Sequence, residues 1–240
     1  MDSHYPPEYT RGWVEFFYQK FQVNEHVLIP RFETEDLVRE AIKIARDIVF
    51  DTLIDVGTGS GIIPLSILSV VDIPQVFAVD LSSEALKVAE GNNRNQGKEI
   101  TFLESDLLGV FLNESVETRL IVSLQNKNIL IVTNLPYIRN GDWDNMSKDT
   151  RYEPGIALFG GTETGFELYE KLFIQIPVFF EKHQPGELLI LAEMGEDQEE
   201  TATRTLESLA LIVAGNKRKL DFSFFADCFG IRRFMKIEII

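Results

Sequence analysis

From Asp51 onward, short runs rich in β-branched residues alternate with longer stretches in which apolar residues recur at three- and four-residue spacing. The short runs are bounded by turn-forming residues and predict strands at Leu53–Val56, Val76–Val79, Ile100–Leu103, Ile129–Val132 and Glu187–Ala192. The longer stretches predict helices over Ile62–Val70, Ser83–Asn95, Phe166–Phe180 and Asp197–Leu209. Strand and helix in alternation imply a parallel sheet with crossover helices, a doubly wound α/β fold. The end of the chain breaks the pattern: Phe222–Phe225 and Phe234–Ile239 are joined through Asp227–Gly230, too short for a crossover helix, so they predict an antiparallel hairpin. Upstream, Phe16–Val23 reads as extended, followed by Val27–Pro30 and a helix opening near Glu33. Thr34 is the expected N-cap, and Leu37, Val38, Ala41, Ile42 and Ala45 form the buried stripe. The chain thus divides into an N-terminal extension, 1–50, a short β-hairpin plus helix packed on the rest, and a main domain, 51–240. Asn113–Asn128 and Arg139–Ile156 are expected to be irregular.

Composition adds limits. With 240 residues, 45% hydrophobic and 25% charged, the chain can bury one substantial core. No apolar run reaches the roughly 18 residues of a membrane span, and Met1–Pro7 lacks the basic and apolar regions of a signal peptide. No membrane association and a cytoplasmic location are expected. A single cysteine, Cys228, excludes an internal disulfide and a cysteine-built zinc site, and with histidines only at 4, 26 and 183 no metal is expected. There are 23 basic and 38 acidic residues, a net charge of -15, which repels phosphate backbones and disfavours nucleic acid as a direct partner. Lys217–Lys219 and Arg232-Arg233 read as solvated surface charge.

Asp55-Val56-Gly57-Thr58-Gly59-Ser60-Gly61 follows a strand and opens a helix, where glycines allow a tight turn and let backbone N–H groups approach a ligand. Ile62 stands where the dinucleotide fingerprint wants its third glycine, so the spacing favours S-adenosylmethionine over NAD. Asp80 ends the second strand, where a carboxylate accepts both ribose hydroxyls, and Asp106 follows the third, placed to accept from an adenine amino group. With Leu81 and Leu107 beside them, they complete a candidate cofactor site at the carboxyl edge of the sheet.

Asn134-Leu135-Pro136-Tyr137 follows the fourth strand, again at that edge. An amide or amino nitrogen is a poor nucleophile whose N–H groups must be held by two acceptors. Asn134 offers its side-chain oxygen and Leu135 its carbonyl, whose direction is set because Pro136 forces the preceding residue into extended backbone. Tyr137 offers a flat face against the acceptor group. In-line displacement acidifies the methylated nitrogen, so no strong base is needed. The loop alone leaves glutamine and adenine both open.

Together with Val27-Leu28-Ile29-Pro30-Arg31-Phe32-Glu33-Thr34-Glu35 and Tyr152-Glu153-Pro154-Gly155-Ile156-Ala157-Leu158-Phe159-Gly160-Gly161, these motifs resemble the HemK/PrmC family of glutamine methyltransferases, over about residues 16 to 240. The resemblance implies a class I S-adenosylmethionine-dependent methyltransferase, Rossmann-like, with a mainly parallel seven-stranded sheet and a C-terminal antiparallel hairpin. It implies methyl transfer to the Gly-Gly-Gln glutamine of a peptide-chain release factor, with S-adenosylhomocysteine as by-product. Asn134 and the Leu135 carbonyl would grip the amide, Pro30 and Thr34 would line the cofactor pocket, and Glu153 and Pro154 would border the substrate entrance. Two departures stand out: the family usually has proline where Leu135 and Phe32 stand, and it usually begins with a separate helical domain that this sequence is expected to lack. Relatives without that domain work with a small helper protein but carry a different segment in place of Leu28–Glu35; whether a helper serves here is left open. Asn-Leu-Pro-Tyr is also similar to the loop of adenine-N6 methyltransferases acting on RNA or DNA, which is the alternative function. A binding domain that has lost catalysis is a third reading, opposed by the intact loop.

Overall fold

Residues 4–113 and 124–240 are described by a computed structural model. Along the chain lie α1 (Pro7–Arg11), β1 (Trp13–Phe16), β2 (Gln19–Gln22), α2 (Thr34–Asp47), β3 (Thr52–Val56), α3 (Ile62–Leu68), β4 (Gln75–Asp80), α4 (Ser83–Gln96), β5 (Thr101–Glu104) and α5 (Gly109–Leu112). There follow β6 (Asn128–Thr133), β7 (Ile138–Arg139), β8 (Phe159–Gly161), α6 (Glu167–His183), β9 (Glu187–Glu193), α7 (Glu199–Gly215), β10 (Leu220–Ala226) and β11 (Arg232–Ile239).

Seven strands form one sheet in the order β10-β11-β9-β6-β3-β4-β5, with β11 antiparallel to both its neighbours and the rest parallel. This is the doubly wound α/β fold with a closing C-terminal hairpin that the sequence pattern predicts. The inner strands are buried on both faces. On β3, Leu53 joins the core beneath α2, α3 and α4, while Ile54 and Val56 join the core beneath α6 and α7; Ile129 to Val132 alternate in the same way on β6. Period-two alternation hides inside continuous apolar runs because both faces are covered.

The chain winds outward from β3 to β5, then returns to place β6 on the other side of β3. The loops after β3 and β6 therefore leave the same sheet edge side by side, in a crevice at the switch point where such folds bind ligands.

Three expectations need correction. Phe16–Val23 is not one extended run: Phe17 and Tyr18, both left-handed at φ 47 and 61, reverse the chain between β1 and β2. Thr34 does not cap α2; it is the first helical residue, Glu33 takes the cap position without a side-chain bond, and the Thr34 hydroxyl is engaged elsewhere. The stretch 139–156 holds short 3-10 turns at Asp142–Asn145 and Thr150–Tyr152 and the start of another at Gly155–Ala157. In the stretch 113–128, residues 114–123 lie outside the described residues.

The hairpin β1–β2 and α2 share a core with α3 and α4. Asn92 on α4 joins the hairpin to the glycine loop: its Oδ1 accepts from Gln22 N–H at 2.6 Å, and its Nδ2 donates to the carbonyls of Gln22 at 3.1 Å and Ser60 at 2.8 Å. Among the described residues no helix is long and apolar enough to cross a membrane, and no cluster of potential metal ligands occurs.

Candidate active site

The glycine loop turns sharply out of β3, with Gly57, Gly59 and Gly61 all left-handed at φ 75, 54 and 78, a backbone that L side chains rarely adopt. A Cβ on Gly57 would also sit 3.0 Å from the Leu135 side chain, so the first glycine lets the two loops close on each other. Between them lies a cleft of about 1170 Å³, its open mouth included. Pro30, Thr34, Gly57, Thr58, Gly59, Asp80, Leu81, Asp106, Leu107, Asn134, Leu135 and Pro136 all line it.

At β4, Asp80 Oδ2 accepts from Gly59 N–H and Oδ1 from Ser82 N–H, both at 2.8 Å. Burial pushes this carboxyl up, against the pull of those bonds. The two bonds fix the carboxylate plane and leave further lone pairs toward the cleft. Asp106 is bound to the Lys171 ammonium through Oδ2. Asp55 does not line the cleft; it lies fully buried beneath the glycine loop, where the Thr58 hydroxyl stands near it without a well-formed hydrogen bond and neither carboxylate oxygen has another partner among the described residues. Burial pushes the Asp55 carboxyl up to about 7. A buried carboxylate without a compensating cation, beside a cleft that carries a second half-buried carboxylate, suits a ligand that brings positive charge. S-adenosylmethionine, with its sulfonium and α-ammonium groups, brings that charge.

The Asn134 loop is held from three sides. Asn134 Nδ2 donates to Thr34 Oγ1 at 3.1 Å, and the Thr34 hydroxyl donates to Glu193 Oε2 at 2.8 Å. The Leu135 N–H donates to the buried Tyr169 hydroxyl at 3.0 Å, which in turn donates to the Glu193 carbonyl. The Tyr137 hydroxyl donates to Glu193 Oε1 at 3.4 Å, and Gln198 Nε2 donates to the carbonyls of Tyr137 at 2.9 Å and Thr164 at 3.0 Å. The third side is β8: a Cβ on Gly160 would fall 2.3 Å from the Pro136 oxygen and 2.0 Å from that of Gly165, so only glycine lets the strand pass this close.

Several site residues sit elsewhere than expected. Tyr137 does not line the cleft; it is half-buried with its hydroxyl turned to Glu193, beside which burial raises its ionisation well above the ordinary tyrosine range. Gly61 lies behind the cleft against Ala89. Glu153, expected at the substrate entrance, is 5% exposed and turned inward: Oε1 pairs with Arg31 at 2.7 Å, and Oε2 accepts from Ile29 N–H at 3.0 Å. It braces the segment before α2 against residues 152–161, and Ile156, Ala157 and Phe159 rather than Pro154 reach the cleft.

Sequence reasoning missed Glu193, Tyr169 and Gln198. Glu193 carried a usable signal: it ends the apolar run Leu188–Ala192 at the carboxyl edge, as Asp80 ends β4. It is 1% exposed, and burial pushes its carboxyl up to about 7, opposed by Thr34 and Arg233. Tyr169 and Gln198 gave none, since their partners are distant in sequence.

A protein-family model described as ribosomal protein L11 methyltransferase matches residues 40–135. The release factor glutamine methyltransferase of Enterococcus faecalis is 38% identical over 169 residues, 70% of this chain and 56% of that protein. That of Bacillus cereus is 33% identical over 206 residues, covering 84% of this chain and 68% of that protein. The chain belongs to the release factor glutamine methyltransferase family. It spans 56%, 64% and 68% of the length of three curated members of that family. Among solved structures, the N-terminal domain of human METTL16 in complex with SAH shares the fold, with TM-score 0.54 and 14% identity over 90% of this chain and 74% of that one. At that identity the likeness is one of fold alone.

Proposed function

We propose that this protein transfers a methyl group from S-adenosylmethionine to the side-chain amide nitrogen of a protein glutamine, the Gly-Gly-Gln glutamine of a peptide-chain release factor. The observation that carries the reading is the Asn134 carboxamide: its nitrogen is committed to Thr34, so its oxygen is the end left to accept an N–H inside the cleft. Family membership supports glutamine as the acceptor.

In this reading Asp80, Asp106 and the glycine loop hold the cofactor, with Pro30, Thr34, Leu81 and Leu107 around it, and Asp55 compensates its positive charge from below. When bound there, S-adenosylmethionine supplies an electrophilic methyl group. Asn134 Oδ1 and the Leu135 carbonyl take the two N–H groups of the acceptor amide and hold its nitrogen in line. Such positioning is the main work required, because it replaces a rare encounter with a fixed one. Pro136, Ile156 and Phe159 wall the cleft with apolar surface and exclude water. Residues 1–50 serve as an extension packed on a catalytic domain formed by 51–240, and the cytoplasm, where release factors act, is the proposed location.

The test is to incubate the full chain with S-adenosylmethionine and a release factor and to look by mass spectrometry for one added methyl on the Gly-Gly-Gln glutamine. Transfer to an adenine in RNA or DNA, with none to the protein, overturns the proposal.

A further inference from the structure

We propose that Glu193 is a positioning residue that decides which end of the Asn134 carboxamide faces the cleft, acting through the hydroxyl of Thr34. The inference rests on the reading of Asn134 as acceptor of the substrate N–H and supplies what that reading lacks, a reason for the amide to keep one orientation. A carboxamide presents an oxygen or an NH2 group of nearly the same size, and nothing in its shape chooses between them.

The choice is made by proton counting. An ionised carboxylate only accepts, so the single hydroxyl proton of Thr34 is committed to Glu193 Oε2 at 2.8 Å. Thr34 Oγ1 can then only accept, and the donor within reach is Asn134 Nδ2 at 3.1 Å. The amide nitrogen turns to Thr34 and Oδ1 to the cleft. Tyr137 donates to the other carboxylate oxygen, Oε1, at 3.4 Å, which keeps Oε2 for Thr34. If Glu193 gains a proton, or becomes glutamine with its NH2 toward Thr34, the hydroxyl proton is released. Thr34 then donates to Asn134 Oδ1, the amide turns over, and the cleft presents two N–H donors to a substrate that is itself an N–H donor.

The surroundings of Glu193 bring this switch into an accessible range. From β11, Arg233 favours the charged form; from the segment before α2, Glu33 opposes it, as does burial, the largest effect; Thr34 and Tyr137 donate to the carboxylate, and Tyr169 on α6 donates to the residue's own carbonyl. The carboxyl is pushed up to about 7, so both states are populated near neutrality.

The test uses the full chain at saturating S-adenosylmethionine with a release factor as acceptor, wild type against Glu193→Gln, from about pH 5.5 to about pH 8.5. In the wild type, kcat is expected to rise as the pH passes about 7. In Glu193→Gln the profile should flatten and kcat at high pH should fall by about 10- to 100-fold, as expected when a well-made hydrogen bond is exchanged for an opposed pair. Cofactor affinity and melting temperature should change little. In the free protein, the 15N resonance of the Asn134 side-chain amide should shift with the same midpoint in the wild type and stay fixed in Glu193→Gln. Thr34→Ser, which keeps the hydroxyl, should keep the rise in rate; Thr34→Val should lose it. A Glu193→Gln enzyme with wild-type kcat and pH profile, or an Asn134 resonance insensitive to pH in the wild type, overturns the inference. If Glu193→Gln does not fold, the Thr34 pair and the wild-type resonance decide. If the wild type methylates no release factor, the proposed substrate falls, while the resonance of the free protein still decides the role of Glu193.

Discussion

Replacing Tyr169 with phenylalanine removes one oxygen from the centre of the molecule and leaves the ring packed as before against Phe166, at 5.1 Å between centroids, and Phe173. That oxygen is the only described partner of the Leu135 N–H, at 3.0 Å, and both residues are buried. A buried N–H left without a partner costs about 1–3 kcal/mol, with about 2 kcal/mol as the working value. For a chain of this size the melting temperature should fall by roughly 4–8 °C. Leu135→Pro removes the same bond from the other side, because proline has no N–H to donate. In the Leu135→Pro background Tyr169→Phe has no N–H left to orphan, so its cost should shrink by about 1 kcal/mol or more. Urea denaturation of the wild type, both single variants and the double variant measures this coupling directly. Additivity within about 0.5 kcal/mol would refute the reasoning, since it would mean that the bond does not tie the loop to α6. The same release of the loop should lower kcat more than cofactor affinity, because the Leu135 carbonyl, not the glycine loop, loses its anchor.

Asn134→Ala should cut turnover by about 100-fold or more while isothermal titration still finds cofactor binding; a parallel fall in affinity would reassign the residue to the cofactor. Gly160→Ala places a methyl 2.0 Å from the Gly165 oxygen and 2.3 Å from that of Pro136, so it should displace the loop, lower the melting temperature and abolish transfer; a variant of wild-type stability and rate would show that β8 does not hold the loop. Asp55 binds its proton more tightly folded, at about 7, than at its ordinary value of 3.8. The stability it confers is therefore fully present below about pH 4 and lost as the pH rises toward 7. Thermal melts should fall over that window in the wild type and fall less steeply in Asp55→Asn, and affinity for S-adenosylmethionine should rise with pH over the same range in the wild type alone; identical slopes would remove Asp55 from the charge balance of the cleft.

What could be read from sequence follows the range of the interactions. Each of the five parallel strands, β3, β4, β5, β6 and β9, is legible to within one or two residues because its apolar run is local, and the place of the glycine loop, Asp80 and Asp106 in the cleft because each lies at a strand end on the same edge. Thr34 was misread as a cap because a threonine before an apolar stripe satisfies the local rule, while the partner that claims its hydroxyl, Glu193, lies 159 positions away. Glu153 was misplaced for the same reason: a glutamate in a loop reads as exposed unless Arg31, 122 positions earlier, is known to face it. A short hairpin is expected in the extension, but the place of its turn, Phe17-Tyr18, lacks the asparagine or glycine that usually marks a two-residue turn, and only the pairing of β1 with β2 locates it.

Leucine at position 135, one of the two departures from the pattern that the sequence resembles, need not loosen the loop. Proline would restrict φ at that residue; leucine restores the N–H, and the N–H is spent on Tyr169 at 3.0 Å. Its side chain fills the space above Gly57 and joins the core beneath α6, so it is fixed by packing as well. Pro136 sets the backbone on the carbonyl side, and Gly160 lets β8 close over the Pro136 oxygen. The direction of the Leu135 carbonyl is thus fixed through the residue's own N–H and from the residue after it, by a hydrogen bond in place of a ring. Because that bond ends on Tyr169, whose hydroxyl goes on to the Glu193 carbonyl, both acceptors proposed for the substrate amide trace back to one residue at the end of β9: the Leu135 carbonyl through its backbone and the Asn134 oxygen through its carboxylate. Because the first link uses the main-chain carbonyl of Glu193 and the second its carboxylate, side-chain substitutions at Glu193 or Thr34 should misalign only the Asn134 oxygen, and Tyr169→Phe only the Leu135 carbonyl.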